Sequence, residues 1–310
     1  MQHLLSIESL SDKQISQLVA AAIEARRVRH SADAPQPLRG QSWALVFSKS
    51  STRTRVSFEV GIRELGGRAM FFSGNDLQLG RGEPIRDTAR VFGRMLDGII
   101  IRTFAQSDLE EFAQWGGIPV INALTDDEHP CQVLADLQTI VEHLGDWRGQ
   151  RVVFMGDAVC NMARSWMWAS ARLGFELVLC GPAEFTPDPT DLEHLPGHSV
   201  TVETDPLKAV AGATVLYTDV WVSMGREAES QERLATLQPY QINSRLVAAA
   251  DPGAIVMHCL PAYREQEITA EVLERFANVI FDQSENRLHA QKAVLSTIAA
   301  SRRAGMGGAN

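Results

Sequence analysis

Apolar residues along this chain recur in two rhythms. Short unbroken runs of strand length alternate with longer stretches in which apolar positions fall three and four apart, the spacing of one helix face. Trp43-Ala44-Leu45-Val46-Phe47 predicts a buried strand, and Phe58, Ile62 and Leu65 predict the stripe of the next helix, ending at Gly66-Gly67. Ala69 to Phe72 predicts a second strand. A glycine-rich loop, 74–84, then leads to a helix aligning Ala89, Phe92 and Leu96, and to a strand at Ile99 to Ile101. Ser107 and Glu110 have the spacing of a capping box. Pro119 to Ile121 reads as a strand, and Pro130 as the start of a helix bearing Leu134, Leu137, Val141 and Leu144.

The polar stretch 145–150 is the best linker, and beyond it the alternation restarts. Strands are expected at Val152 to Met155, Leu177 to Leu179, Val215 to Tyr217, Ile255 to Met257 and Val279 to Phe281. A helix is expected from about Asn286 to Arg303, with a frayed tail over 305–310. Repeated βα alternation predicts an α/β fold of two doubly wound parallel-sheet domains, 1–144 and 150–285.

Composition narrows the class. A chain of 310 residues exceeds what one core usually holds, and 45% hydrophobic with 22% charged residues is the profile of a globular protein. The longest apolar runs fall far short of a bilayer span, and the amino terminus has neither the basic region nor the apolar stretch of a secretory signal. Four cysteines without a C-x-x-C pair argue against a zinc module or disulfide framework and suit a reducing cytoplasm. A net charge of -9 disfavours nucleic acid and anionic membranes as partners, so an anion would need a local basic pocket.

Polar clusters gather just after the expected strands. They are Ser50 to Arg55, Arg102, His129-Pro130-Cys131-Gln132, Asp157 to Asn161, Asp219 to Gly225, His258-Cys259-Leu260-Pro261 and Glu285-Asn286-Arg287. Open parallel sheets bind ligands at the carboxyl ends of their strands, so a cleft between the domains is the expected site. Ser51 to Arg55 falls where a strand turns into a helix, which suits a phosphate; a Ser/Thr cap followed by solvated arginines is the plain alternative. There is no P-loop and no G-x-G-x-x-G after a strand, which weakens ATP and dinucleotides as ligands. Taken singly, His129 could be structural, Cys259 a small buried hydrophobe, Asp219 a turn cap, Met224 core and Arg102 a surface ion pair.

Taken jointly, these segments resemble the aspartate/ornithine transcarbamylase family over essentially the whole chain. Ser51-Thr52-Arg53-Thr54-Arg55 with His129-Pro130-Cys131-Gln132 resembles the half that binds carbamoyl phosphate throughout that family. Asp219-Val220-Trp221-Val222-Ser223-Met224-Gly225 with His258-Cys259-Leu260-Pro261 resembles the ornithine-directed branch. Where members often carry two adjacent asparagines, this chain has Cys160-Asn161.

The resemblance implies transfer of a carbamoyl group from carbamoyl phosphate to L-ornithine, giving L-citrulline and phosphate. By the same resemblance, Ser51, Thr52, Arg53 and Thr54 would hold the phosphate, and Arg102, His129 and Thr54 would donate to the carbonyl oxygen. Gln132 would bind the carbamoyl amide, Arg287 would add positive charge, and Cys259 and Leu260 would also border carbamoyl phosphate. Asp219 and Cys259 would orient the δ-amino group, with Asn161, Ser223 and Met224 on the α-amino and α-carboxylate. Gln78 would reach the phosphate of a neighbouring subunit, in a homotrimer or a multiple of one with shared sites. The helix 286–310 would return to the first domain. No metal or organic cofactor is implied. A transcarbamylase for another amine (putrescine or an acylated ornithine) and a catalytically silent regulatory relative are the competing readings.

Overall fold

Runs of Val, Ile, Leu and Phe that no polar residue interrupts become strands covered on both faces, as parallel sheets flanked by helices require. The computed structural model describes residues 1–74, 82–197, 199–222 and 230–307. It divides into two units, Met1–Gln138 with Glu285–Asn310, and Thr139–Ser284.

The first unit opens with α1 (Asp12–Arg27), β1 (Ser42–Phe47), α2 (Thr52–Glu64), β2 (Arg68–Ser73) and α3 (Ile85–Met95). It continues with β3 (Gly98–Arg102), α4 (Gln106–Gly116), β4 (Val120–Leu124) and the start of α5 (Pro130–Leu144). Its parallel sheet runs in the order β2-β1-β3-β4. The chain leaves β1 to one side for β2 and returns to the other for β3. That reversal opens a crevice at the carboxyl ends of β1 and β3, where open sheets take ligands.

The second unit repeats the plan. It contains β5 (Arg151–Met155), α6 (Asn161–Leu173), β6 (Glu176–Cys180), α7 (Pro189–Glu193), β7 (Val200–Glu203) and α8 (Pro206–Val210). β8 (Val215–Thr218), α9 (Ser230–Leu237), α10 (Ser244–Ala249), β9 (Ile255–His258), α11 (Ala270–Arg275) and the first turns of α12 (Ala277–Gly307) follow. The order β7-β6-β5-β8-β9 puts the reversal between β5 and β8. Each sheet is backed by its own apolar cluster, Ala44, Val46, Ile99 and Ile101 in the first, Val153, Met155, Leu216 and Val256 in the second.

Three expectations need correction. Val279-Ile280-Phe281 is not a strand but the first turn of α12, which begins at Ala277, well before Asn286. A three-residue apolar run cannot separate strand from helix; here Ile280 is buried while Phe281 is 56% exposed, a one-sided burial that a central strand would not show. Ser107 and Glu110 form no capping box: α4 starts at Gln106, two residues early, and its N-cap Ala105 has no side-chain acceptor. The chain does not fray from 305, since α12 continues to Gly307. The alternation also passed over α1, which carries its own box between Ser11 and Gln14, and the short edge strand β7. Among the described residues, no helix is long and apolar enough to cross a membrane.

Candidate active site

In the first unit, Ser51 caps α2, its hydroxyl accepting from Thr54 N at 3.3 Å. The first turn of α2 contains no acidic residue. Its amides and dipole therefore favour an anion there. Thr52 is exposed and Arg53 half-buried. Arg55, by contrast, is spoken for: it lies 3.8 Å over the Phe71 ring and donates to Glu59 Oε1 at 2.8 Å.

Thr54 is buried, and a guanidinium reaches it. Arg287 donates through Nη2 to Thr54 Oγ1 at 2.9 Å and through Nη1 to Gln132 Oε1 at 2.7 Å. Gln132 in turn donates from Nε2 to Asp136 Oδ1 at 2.8 Å, one turn along α5. Arg287 had been expected after a strand; it projects instead from the interior of α12, in the part of that helix that belongs to the first unit.

Arg102 ends β3, where the pairing with β4 shifts register between Ile101 and Arg102. Such an irregularity re-aims a strand-end side chain, and Arg102 is only 7% exposed. His129 precedes α5 and is likewise buried. Burial first, then the positive charges of Arg287 and Arg102, holds its imidazole well below the usual histidine range. His129 is therefore neutral at physiological pH and donates without adding charge. The neighbouring Cys131 thiol, pushed by burial up to about 12 and donating to Asn122 O at 3.3 Å, is structural.

The cluster of the second unit has the opposite sign. Asp219 follows β8; its Oδ1 accepts from Cys259 Sγ at 2.8 Å and from Val220 N at 2.7 Å. Burial raises its carboxyl above the ordinary carboxylate value, while His258 and these two hydrogen bonds pull the other way. Cys259 follows β9 on a segment built by His258. The Nδ1 of that imidazole accepts from Leu260 N at 2.9 Å, and its Nε2 therefore carries the proton and donates to Glu267 Oε1 at 3.0 Å. The bond to Nδ1 steadies Leu260 in the left-handed region at φ 56°, where a side chain is strained. Donor atoms of Asp219, His258 and Cys259 lie within 4.8 Å of one another, but both imidazole nitrogens are already engaged. Cys259 and Leu260, expected beside carbamoyl phosphate, belong to this second unit.

At the end of β5, Asn161 opens α6, and Cys160 is the N-cap, its sulfur accepting from Ala163 N at 3.5 Å. Burial, with Asp157 and Asp219 nearby, pushes the Cys160 thiol well up, so it caps as a neutral group. Gln78, Ser223 and Met224 lie outside the described residues.

Two features were not read from the sequence. Asp136 repeats Gln132 at the i+4 spacing of one helix face, a signal that was there to see. Arg233 gave none. It lies in the polar-looking α9, yet its side chain is buried against that of Asp157, donating to that carboxylate and to Trp221 O while lying 4.4 Å over Phe185. One side chain thus ties the segment after β5 to the segment after β8.

These two sheets, each ending in a polar cluster at its reversal point, match known proteins along nearly their full length. Residues 2–142 match the family model described as the carbamoyl-P binding domain of aspartate/ornithine carbamoyltransferase, and 148–298 match its Asp/Orn binding domain. A curated ornithine carbamoyltransferase of Akkermansia muciniphila is 56% identical over 98% of this chain and 100% of its own. One from Methanoculleus marisnigri is 49% identical over 94% of each. Among solved structures, the ornithine carbamoyltransferase of Pyrococcus furiosus superposes with a TM-score of 0.90 at 42% identity, over 96% of this chain and 97% of that one. The anabolic ornithine carbamoyltransferase of Campylobacter jejuni gives 0.90 at 39%, over 97% and 100%. Motifs, topology and both matched halves agree: the chain belongs to the aspartate/ornithine carbamoyltransferase family.

Proposed function

We propose that this protein transfers the carbamoyl group of carbamoyl phosphate to the δ-amino group of L-ornithine, forming L-citrulline and phosphate. The observation that carries this reading is the division of labour between the two strand-end clusters. One gathers Arg102, Arg287, neutral His129 and a helix N-terminus; the other gathers Asp219 and Cys259. The first suits a phosphorylated carbonyl compound, the second an alkylamine.

The phosphate goes to Ser51, Thr52, Arg53 and Thr54, whose amides and hydroxyls can donate to it. Arg102, His129 and Thr54 take the carbonyl oxygen, which becomes an oxyanion when nitrogen attacks the carbamoyl carbon. Thr54 Oγ1 accepts from Arg287 and so keeps its own proton to donate. Collapse of the tetrahedral intermediate breaks the carbon–phosphate-oxygen bond, and Arg287 and the helix terminus stabilise the phosphate that leaves. The attacking amine must first lose a proton, because an alkylammonium has a pKa near 10.4. Asp219 attracts the ammonium form and can then accept its proton, with Cys259 orienting the nitrogen. Asn161, Ser223 and Met224 hold the α-amino and α-carboxylate, and Leu260 borders the carbamoyl group. Acyl transfer from an already activated donor calls on neither redox chemistry nor an electron sink.

Purified protein given carbamoyl phosphate and ornithine should form citrulline, and far less carbamoylputrescine when putrescine replaces ornithine. A preference for putrescine would reject the assignment. We also place the protein in the cytoplasm as a homotrimer or a multiple of one, with Gln78 of one subunit serving its neighbour. Mixing and refolding Arg53→Ala with Gln78→Ala chains should restore about a quarter of the sites if assembly is random; no recovery in proven hybrids rejects sharing.

A further inference from the structure

We infer that Asp136 is a specificity-determining positioning residue, holding the Gln132 amide with its oxygen towards the substrate. Through that oxygen the site tells a carbamoyl group from an acetyl group. The inference rests on the function proposed above and adds a residue to it.

An amide side chain has a donor end and an acceptor end of nearly the same shape, so something must decide which faces the ligand. Here the surroundings decide. Arg287 can only donate, and its Nη1 stands 2.7 Å from Gln132 Oε1. The oxygen must therefore face the guanidinium, and the Nε2 end must find an acceptor, which is Asp136 Oδ1 at 2.8 Å. An amide oxygen has two lone pairs, and Arg287 uses one. The second suits a donor on the ligand, and the carbamoyl NH2 is the donor that acetyl phosphate lacks.

The place of Asp136 in the helix makes it a costly acceptor to keep. It is fully buried in α5, where a carboxylate carries a desolvation cost that an apolar side chain would not. Without an acceptor there, Nε2 would be left buried without its hydrogen bond, and the amide would gain by rotating out of the pocket. That movement would remove the lone pair that reads the carbamoyl group.

Titration calorimetry without any amine tests this on the intact protein, using carbamoyl phosphate, acetyl phosphate and inorganic phosphate in turn. Wild type should prefer carbamoyl to acetyl phosphate. Asp136→Leu keeps the volume and removes the acceptor. It should weaken carbamoyl phosphate about tenfold, one substrate hydrogen bond's worth, and leave the other two within about twofold. Asp136→Asn retains a neutral acceptor and should show a smaller loss, about threefold, of the same selective kind. Loss of all three ligands together, or an unchanged carbamoyl-to-acetyl ratio, overturns the inference. Should the leucine variant fail to fold, the ratio in the asparagine variant decides by the same rule. Wild type that binds carbamoyl phosphate selectively but forms no citrulline would instead count against the proposed reaction alone.

Discussion

Both sheets end in polar clusters at the reversal of their strand order, yet the two clusters carry opposite charge. In the first unit, burial and then the charges of Arg287 and Arg102 hold a histidine well below its usual range. In the second, a partly buried carboxylate binds a thiol and a backbone amide. The carboxyl ends of parallel strands and the helix N-termini that follow them favour anions by construction. The first unit uses that bias directly. The second overrides it with Asp219, since its other strand-end carboxylate, Asp157, is neutralised by Arg233. The same architecture thus makes an anion site or an amine site according to a few strand-end side chains.

The largest effect should come from the first cluster. Replacing Arg102 with alanine should lower turnover about 100- to 1,000-fold at saturating substrates, with a much smaller change in carbamoyl-phosphate affinity, because the oxyanion exists only during reaction. Turnover within tenfold of wild type would remove Arg102 from that role.

In the second cluster the buried Arg233–Asp157 pair should matter next. Arg233→Leu leaves a carboxylate buried without its partner and should cost about 3 kcal/mol in denaturant unfolding. The double change with Asp157→Asn should recover much of that loss. No recovery would mean the two do not act as a pair.

Acid separates the clusters further. The folded His129 binds its proton less well than the unfolded one, whose value is near 6.5. Its contribution to stability is therefore complete above that pH and is lost as pH falls below it. Wild type should lose up to about 1.4 kcal/mol per pH unit there relative to His129→Gln. Parallel stability curves would contradict the depressed value.

The smallest effect runs the other way. Asp219 has a raised carboxyl value, so keeping it ionised costs stability above the ordinary carboxylate range, and that cost vanishes in acid. Asp219→Asn should raise Tm at pH 7 by a few degrees at most, with no gain near pH 3. An equal gain at both pH values would point to packing instead.

Much of this contrast was legible in the chain. Ser51 to Thr54, Arg102, His129, Asp219 and Cys259 could be picked out because each follows an apolar run, and the end of a parallel strand is where such residues converge. Arg287 was picked for the wrong reason: Val279 to Phe281 imitates a strand, whereas the residue owes its place to a helix packed into the first unit. Arg233 was invisible, because a buried arginine in a polar-looking helix differs from a solvated one only through its tertiary partners. Cys160 looked like a departure from a pattern of paired asparagines; in the structure its sulfur takes up the capping task such a side chain would perform.

Gly156 sets a limit on how the amine site can be remodelled. It follows β5 at φ 115°, and a Cβ placed there would sit 2.6 Å from the indole Nε1 of Trp221. One strand over, a Cβ on Gly181 would come within 2.3 Å of Gly156 O. The turns after β5, β6 and β8 therefore interlock at a point that holds no reacting group. An engineer who wants a different amine accepted can vary the side chains around Asp219 and Cys259. Enlarging residue 156 would instead press on Trp221, two residues beyond Asp219, and enlarging residue 181 would press on the backbone of Gly156. Any lineage that drifts towards a new amine must keep these two glycines while it exchanges the groups that touch the substrate.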